Sequence, residues 1–224
     1  MQQRLHQFAN NTVLVHALCE RIVTLARHCI DQRGYFSTIL AGGTTPRPLY
    51  QQLRHLSTDW QRWHIYFSDE RYLSAGHPER NDSMALEAWL DHVAIPSSQI
   101  HRVPESDNVD AAAALYASVL AQAPGFDLAL LGLGEDGHTA SLFPGDTQAA
   151  NSTALAIAVT NAPKAPQQRV TMSPKSLSMA TAVWFIVTGS SKRQALDAWL
   201  AGAPLPAKTI KPRAGVDIFT DLAR

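Results

Sequence analysis

One loop of this 224-residue sequence combines residue types that could move a proton. Residues 132–137 read GLGEDG, and the loop carries Asp136 and, just after it, His138. Histidine has an unperturbed pKa near neutrality, and a neighbouring carboxylate can hold its tautomer and raise its basicity. His138 differs from the other histidines because it lies in a glycine-rich loop after a predicted strand. The pair is therefore a candidate for acid–base chemistry.

A second loop, AGGTTP at residues 41–46, has the composition of an anion site. Gly42 and Gly43 allow the backbone to approach a ligand closely, and Thr44 and Thr45 add hydroxyl donors. Pro46 suits the first turn of a helix, and free N–H groups at a helix start bind phosphate. The alternative is a tight turn that binds nothing. The loop is not a Walker A motif, because the GK[ST] ending is missing.

Charged side chains after other predicted elements complete the set of candidates. Residues 68–71, SDER, place Asp69 and Arg71 at a strand end, although a solvated charged turn is an alternative interpretation. Arg169 begins a strand-like segment. Lys192 lies at a predicted helix start, where a cation is unfavourable against the helix dipole. This position suggests a nearby anion, unless the Lys192 side chain points to water.

The sequence lacks the motifs of several other kinds of binding site and enzyme. GLGEDG matches G-x-G-x-x-G, but no acidic residue about twenty positions on could hold a ribose, and Pro144 interrupts the following segment. Nicotinamide binding is therefore disfavoured. A serine hydrolase is disfavoured because no G-x-S-x-G elbow is present. Zinc spacing of the H-E-x-x-H kind is also absent, so no metal site is predicted.

Hydrophobic periodicity predicts alternating strands and helices. The predicted strands cover residues 35–40, 63–67, 126–131, 154–159, 169–173, 182–187 and 216–220. The predicted helices cover residues 11–34, 47–55, 83–92, 109–121 and 192–200, with a helical turn at 174–179. Alternation and continuous apolar strands favour an α/β fold, with a mostly parallel sheet covered by helices on both faces. A single domain over residues 1–224 is the simplest organisation.

The predicted fold would bring the candidate residues together. Ligands of open parallel sheets bind at the carboxyl ends of the strands. Polar clusters follow the strands that end at Leu40, Phe67, Leu131 and Val187. One polar loop would mean little, since loops are generally polar, but four at the same sheet edge predict a binding cleft.

Composition narrows the partners and the compartment. The formal net charge is zero, with 19 Lys and Arg against 19 Asp and Glu, so nucleic acid and anionic membranes are not expected as partners. No segment has the length of a membrane span, and no apolar run near the N-terminus indicates a signal peptide. Cys19 and Cys29 would lie about 15 Å apart on one helix, beyond the reach of about 7 Å of a disulfide. Two reduced thiols indicate a cytoplasmic protein.

Taken together, the loops resemble the family of 6-phosphogluconolactonases and glucosamine-6-phosphate deaminases. The matching runs, in order, are LAGGTTP, FSDERYL, HPERNDSMA, LLGLGEDGHTASLFPG, QRVTMS and VTGSSKRQAL, which span Thr38 to Leu196. The resemblance implies a modified Rossmann-like α/β fold of the deaminase/lactonase type. It also implies hydrolysis of 6-phospho-D-glucono-1,5-lactone to 6-phosphogluconate, the second step of the oxidative pentose phosphate pathway, without an organic cofactor.

The resemblance assigns roles to the candidate residues. His138 matches the family's catalytic histidine, and Asp136 matches the acid that positions it. Asp69 matches a proton-transferring Asp of the deaminases, so either His138 or Asp69 could be the base. Arg71 would orient the substrate. The residues expected to bind phosphate are Gly42, Gly43, Thr44, Thr45, Arg169 and Lys192.

Two alternatives to a lactonase are weighed on particular residues. The deaminases carry an acidic residue in an FNEPG motif, where this sequence has Phe143, so a deaminase or isomerase is disfavoured. A non-catalytic sugar-phosphate sensor would carry a DNA-binding helix-turn-helix, whereas residues 1–34 predict one long helix without a basic patch. The expected ligand is a small sugar-phosphate lactone, and the protein is expected to be a monomer or a small homo-oligomer.

Overall fold

The computed structural model describes residues 2–223, and all structural statements concern this part of the chain. The strands are β1 Gln3–Gln7, β2 Phe36–Leu40, β3 Trp63–Phe67, β4 Asp69–Arg71, β5 Ile100–His101, β6 Leu128–Gly132, β7 Ala156–Val159, β8 Arg169–Met172, β9 Ala182–Val187 and β10 Val216–Thr220. The α-helices are α1 Asn11–Arg33, α2 Arg47–Leu53, α3 Asn81–Ala88, α4 Val109–Ala121, α5 Thr147–Ala150, α6 Pro174–Leu177 and α7 Arg193–Leu200. Short 3₁₀ helices cover Trp60–Arg62, Leu90–His92, Ser97–Gln99, Ser190–Lys192 and Pro206–Thr209.

Seven strands form a central parallel sheet in the order β1-β10-β9-β6-β2-β3-β5. From β2 the chain continues outward to β3 and β5, whereas β6, β9 and β10 lie on the other side of β2. The order therefore reverses between β2 and β6. A crevice at such a reversal is where α/β proteins of this kind bind ligands.

The apolar strands bury both faces of the central sheet. Along β6, Leu128 and Leu130 join one hydrophobic cluster, while Ala129 and Leu131 join another on the opposite face. Helices α1, α2 and α3 contribute to the first cluster, and α4 and α7 contribute to the second. This arrangement confirms the predicted parallel sheet with helices on both faces.

Three further strands form a small antiparallel sheet in the order β4-β8-β7. The alternative interpretation of Ser68–Arg71 as a solvated charged turn does not hold for Asp69–Arg71, which form strand β4. Pairing with β8 supplies the backbone hydrogen bonds, so three polar residues form a strand without local apolar periodicity. The pairing also brings Asp69 and Arg71 beside the strand that contains Arg169.

Other differences from the sequence prediction concern polar or short elements. Strand β1 was not predicted, because its polar sequence QRLHQ shows no apolar alternation. Helix α3 begins two residues earlier than expected and ends at Ala88, and the 3₁₀ helix Leu90–His92 covers its predicted end. The two-residue β5 and the four-residue α5 were also missed.

Cys19 and Cys29 are buried, unpaired thiols on α1. Burial raises the pKa of Cys19 to about 12 and that of Cys29 to about 11, so both are protonated at neutral pH. The prediction that the two thiols are packed and not paired with each other is confirmed. None of the helices between residues 2 and 223 has the length and apolar character needed to cross a bilayer.

Candidate active site

A cavity of about 350 Å³ opens where the order of the central sheet reverses. Its wall combines the loops after β2 and β6 with residues of the small sheet. The residues that line it include Gly42, Gly43, Thr44, Thr45, Asp69, Arg71, Asn81, His138, Lys164, Arg169 and Lys192. The structure therefore brings all predicted site residues to one cleft except Asp136, which contacts His138 at its edge.

The loop from Ala41 to Pro46 offers backbone N–H groups to the cavity. The N–H groups of Gly42, Gly43, Thr44 and Thr45 donate to no acceptor among residues 2–223. Gly43 has φ +85°, a conformation that residues with a side chain rarely adopt. Since unpaired N–H donors favour anions, this loop can hold a phosphate group.

Asp136 and His138 form a close pair in the loop after β6. The His138 Nδ1 lies 2.5 Å from Oδ1 of Asp136, and the His138 backbone N–H donates to the same oxygen at 3.2 Å. Burial alone would raise the pKa of Asp136, but the hydrogen bonds and charge of His138 outweigh it and lower that pKa. An ionised Asp136 holds the proton of the imidazole on Nδ1, which leaves Nε2 as an acceptor.

Gly134 makes this pair possible. A Cβ atom on Gly134 would lie 2.1 Å from Nδ1 of His138 and 2.5 Å from Oδ1 of Asp136. The Gly134 N–H also donates to the His138 carbonyl at 2.7 Å, which closes the loop. The glycine thus serves close packing of the pair rather than binding of a dinucleotide.

Asp69 is buried at the base of the cavity, where three side chains donate hydrogen bonds to its carboxylate. Ser141 Oγ donates to Oδ2 at 2.6 Å, while Ser68 Oγ and Asn81 Nδ2 each lie 3.3 Å from Oδ1. These donors occupy lone pairs on both carboxylate oxygens. Fewer lone pairs of Asp69 are therefore free to accept a proton from a ligand.

Arg71 and Arg169 lie directly opposite each other on β4 and β8. Like charges in directly opposed positions of an antiparallel pair are destabilising. Burial, with a further contribution from Arg71, lowers the pKa of Arg169, whereas Asp69 acts in the opposite direction. Two arginine side chains on the wall of one cavity favour an anionic ligand there.

The Arg169 side chain is buried, with 5% of the residue exposed, and carbonyl oxygens hold it in place. Its Nε donates to the Pro166 carbonyl at 3.1 Å, and its Nη2 donates to the Lys164 carbonyl at 3.0 Å. No acidic side chain in the described part of the chain lies within 4 Å of it, and Nε of Arg71 is buried without an acceptor. A buried cation without a carboxylate is costly, which is consistent with a missing anionic ligand.

Lys192 and Lys164 add two more cations to the cavity wall. Lys192 ends the 3₁₀ helix Ser190–Lys192 and directly precedes α7. The α-helix therefore begins one residue later than the sequence predicted. Lys164 is exposed in the loop before β8 and carried no signal in the sequence beyond its charge.

A buried ionic cluster behind the site was missed in the sequence. Glu70 accepts hydrogen bonds from the backbone N–H groups of Arg71, Asn81 and Asp82 at 2.7, 2.7 and 2.9 Å. Arg80 forms an ion pair with Asp82 at 2.8 Å and lies 3.8 Å from Glu70. Burial, followed by Asp82, raises the pKa of Glu70, and Arg80 opposes this shift. Through these hydrogen bonds, Glu70 on β4 holds the start of α3 in place.

Phe143 lies against both candidate groups. Its ring centroid is 5.0 Å from that of His138, and the Arg169 guanidinium lies 6.0 Å from it.

Beyond Phe143 is a larger cavity of about 730 Å³. The charged residues of its wall are Asp110 and Asp146, both acids, so it is unsuited to an anionic ligand despite its size. Across residues 2–223, no three His, Cys, Asp or Glu side chains group as metal ligands.

Comparison with known proteins shows the family. The sequence profile described as glucosamine-6-phosphate isomerases/6-phosphogluconolactonase matches residues 9–219, and the chain belongs to this family. A 6-phosphogluconolactonase of Nostoc is 35% identical, with the whole chain and 97% of that relative covered. One of Synechocystis is 38% identical, over 91% of the chain and 89% of the relative.

Solved structures agree with this assignment. The crystal structure of 6-phosphogluconolactonase from Thermotoga maritima has a TM-score of 0.90 and 28% identity, and covers 98% of the chain and 99% of that structure. The enzyme from Trypanosoma brucei gives a TM-score of 0.83 at 26% identity, over 98% of the chain and 96% of that structure. The α/β fold predicted from the sequence is therefore confirmed.

Proposed function

We propose that this protein hydrolyses 6-phospho-D-glucono-1,5-lactone to 6-phosphogluconate, the second step of the oxidative pentose phosphate pathway. The observation that carries the proposal is one cleft with two parts: a hydrogen-bonded Asp136–His138 pair and the buried, carboxylate-free Arg169. The relatives named above bear the name 6-phosphogluconolactonase. We further propose that residues 1–224 act as one domain in the cytoplasm.

Substrate binding in this proposal depends on the phosphate group. Its oxygens accept hydrogen bonds from the amides of Gly42–Thr45 and from Arg169 and Lys192. Charge-assisted bonds of this kind are about twice as strong as neutral ones. They hold the lactone in place, so binding energy at the phosphate contributes to orientation at the carbonyl carbon C1.

His138 is the proposed general base. Its Nδ1 donates to Asp136, and its Nε2 accepts a proton from water as the hydroxide attacks C1. The C1–O5 bond then breaks, and the proton passes from His138 to O5, which leaves as the hydroxyl on C5. Arg71 or the loop amides stabilise the developing oxyanion. The Asp69 carboxylate, which already accepts three hydrogen bonds, helps to orient the reacting groups and does not abstract the proton.

The proposal is tested with His138→Ala, assayed as lactone hydrolysis above the spontaneous rate. We expect kcat to fall by about 10²–10⁴-fold, the usual contribution of general acid–base catalysis, with a small change in KM. His28→Ala, at an exposed position on α1, is the matched control and should retain activity. A near-normal kcat in His138→Ala, combined with a large loss in Asp69→Asn, would assign the base to Asp69 instead.

A second measurement on the same enzyme distinguishes a lactonase from a deaminase. Phe143 stands where the deaminases have an acidic residue, and its ring packs against His138. A lactone carbonyl is already electrophilic and needs no such acid for ring opening. We therefore expect no release of ammonia from glucosamine 6-phosphate under conditions in which the lactone is hydrolysed.

A further inference from the structure

The two ends of the Asn81 side-chain amide face different surroundings. Its Nδ2 donates to the Asp69 carbonyl at 2.8 Å and lies 3.3 Å from Oδ1 of the Asp69 carboxylate. Both partners only accept hydrogen bonds. The NH₂ end must therefore face Asp69, and the position of the Asn81 carbonyl oxygen follows from this requirement.

Oδ1 of Asn81 packs against the backbone of the proposed phosphate loop. A Cβ atom on Gly42 would lie 1.9 Å from Oδ1, so only glycine leaves room for this oxygen. The Asn81 residue is 3% exposed and lines the cavity. No donor within residues 2–223 reaches Oδ1, so it is an unpartnered acceptor at the cavity wall.

This acceptor differs in character from the groups proposed to bind the phosphate. The loop amides, Arg71, Arg169 and Lys192 are all donors, which match the phosphate oxygens. A phosphate offers Asn81 no donor when fully ionised, but a sugar hydroxyl does. The amide oxygen is also neutral, so it accepts from a hydroxyl without the repulsion that a carboxylate would exert on a nearby phosphate.

We propose that Oδ1 of Asn81 accepts a hydrogen bond from one ring hydroxyl of the sugar phosphate and thereby selects the sugar. This inference rests on the function proposed above and adds a specificity-determining residue to it. A site built to pair with a substrate hydroxyl rejects an analogue that lacks it, because the acceptor at the cavity wall is left unpaired.

The surroundings hold Asn81 rigidly enough for this role. Glu70 accepts hydrogen bonds from the N–H groups of Asn81 and Asp82, which fixes the first turn of α3. Arg80 on the other side of Asn81 donates to Asp82 at 2.9 and 2.8 Å. Preorganised polar groups of this kind discriminate between ligands better than mobile ones.

The test compares kcat/KM on the lactone with kcat/KM on the three monodeoxy lactones that lack the hydroxyl on C2, C3 or C4. The wild-type protein should lose about tenfold or more on one analogue, the cost of an unpaired acceptor. In Asn81→Ala the loss on that analogue should disappear, while the losses on the other two persist. Asn81→Ser is a second truncation, in case the alanine variant does not fold.

Two controls separate hydroxyl binding from support of Asp69. Asn81→Asp keeps an acceptor at the cavity and should keep the discrimination, while overall activity falls because a second carboxyl group faces Asp69. Asn151→Ala, at an exposed position, should behave as the wild type. Truncated variants that discriminate against all three analogues as the wild type does would overturn the inference. A wild-type protein without activity on the lactone would instead overturn the proposed function, and the inference with it.

Discussion

At the scale of single residues, Gly134 controls the geometry of the proposed base. Its missing side chain leaves the space in which Asp136 and His138 meet, since an added Cβ would overlap both. This steric role is independent of any ligand. It explains a glycine that the G-x-G-x-x-G pattern alone would have assigned to cofactor binding.

We therefore expect Gly134→Ala to displace His138 and lower kcat by about a hundredfold, the effect of a misplacement of about 1 Å at a reacting group. Gly132→Ala is the matched comparison, because its added Cβ meets no atom within 4 Å and its loss should be smaller. Steady-state kinetics with both variants checks this. Equal losses in the two variants would argue against the steric explanation.

Residue type and position relative to predicted elements were enough to single out Asp136, His138, Arg169 and Lys192, which the structure places in or beside one cleft. Asn81 was missed as a site residue, because its role depends on contacts with Gly42 and Asp69 that only the folded chain creates. The roles of all these side chains stay predictions until variants are assayed.

At the scale of elements, β1 shows why some strands escape sequence prediction. Its partner β10 supplies both the backbone pairing and a charged anchor. Asp217 accepts hydrogen bonds from Arg4 at 2.8 and 2.7 Å and lies 2.7 Å from Nε2 of His6. Strands β6 and β9 were predicted because they are continuous apolar runs, whereas β1 and β4 depend on such non-local partners.

The contacts of Asp217 with Arg4 and His6 make the free energy of unfolding depend on pH in a defined direction. Burial acts against ionisation of Asp217, but Arg4 and His6 outweigh it and lower its pKa. A carboxyl group whose pKa is lower in the folded state than in the unfolded state stabilises the fold at pH values above its unfolded pKa of about 3.9. This contribution is lost as the pH falls below that value. Asp217→Asn should lose about 1.5–3 kcal/mol at pH 7, the range for hydrogen bonds to charged groups.

Urea unfolding between pH 3 and pH 7 checks this expectation. The difference in unfolding free energy between the wild type and Asp217→Asn should shrink as the pH falls toward 3. Asp221→Asn, which removes a carboxylate that accepts from the Gly189 N–H, is a control without an Arg partner. A difference that stays constant with pH would refute the assignment to this ion pair.

At the scale of the whole molecule, zero net charge coexists with a locally positive cleft. The 19 acidic and 19 basic residues balance overall, yet Arg71, Arg169, Lys164 and Lys192 converge on one cavity. From the composition we expect no polyanionic partner, whereas a small anion is compatible with it. The positions of the strand ends were enough to predict that charged loops meet at one edge of the sheet. That Arg71 lies directly opposite Arg169 follows only from the pairing of β4 with β8, which the sequence did not reveal.

A bound product should therefore stabilise the whole fold. At a concentration of 100 Kd, 6-phosphogluconate should add about 2.7 kcal/mol, which is about 5–10 °C in Tm for a chain of this size. Lys192→Ala should need a higher product concentration for the same shift, because it would remove the proposed phosphate contact. Thermal unfolding at several product concentrations measures this.

Lys211→Ala, at an exposed position away from the cavity wall, is the matched control and should follow the wild-type curve. A Lys192→Ala curve that coincides with the wild type would count against phosphate contact by this side chain. The expected monomer or small homo-oligomer can be measured on the same samples by light scattering.

The small antiparallel sheet has a consequence for the order of folding. It joins segments far apart in the chain, since Thr171 contacts the Ser68 carbonyl across 103 positions. Contacts between distant segments carry a larger loop-closure entropy and form slowly. A chain emerging from the ribosome can pair β2 with β3 early, yet it cannot set Arg169 opposite Arg71 until β8 has been synthesised. The cleft is thus completed well after the first strands of the central sheet have formed.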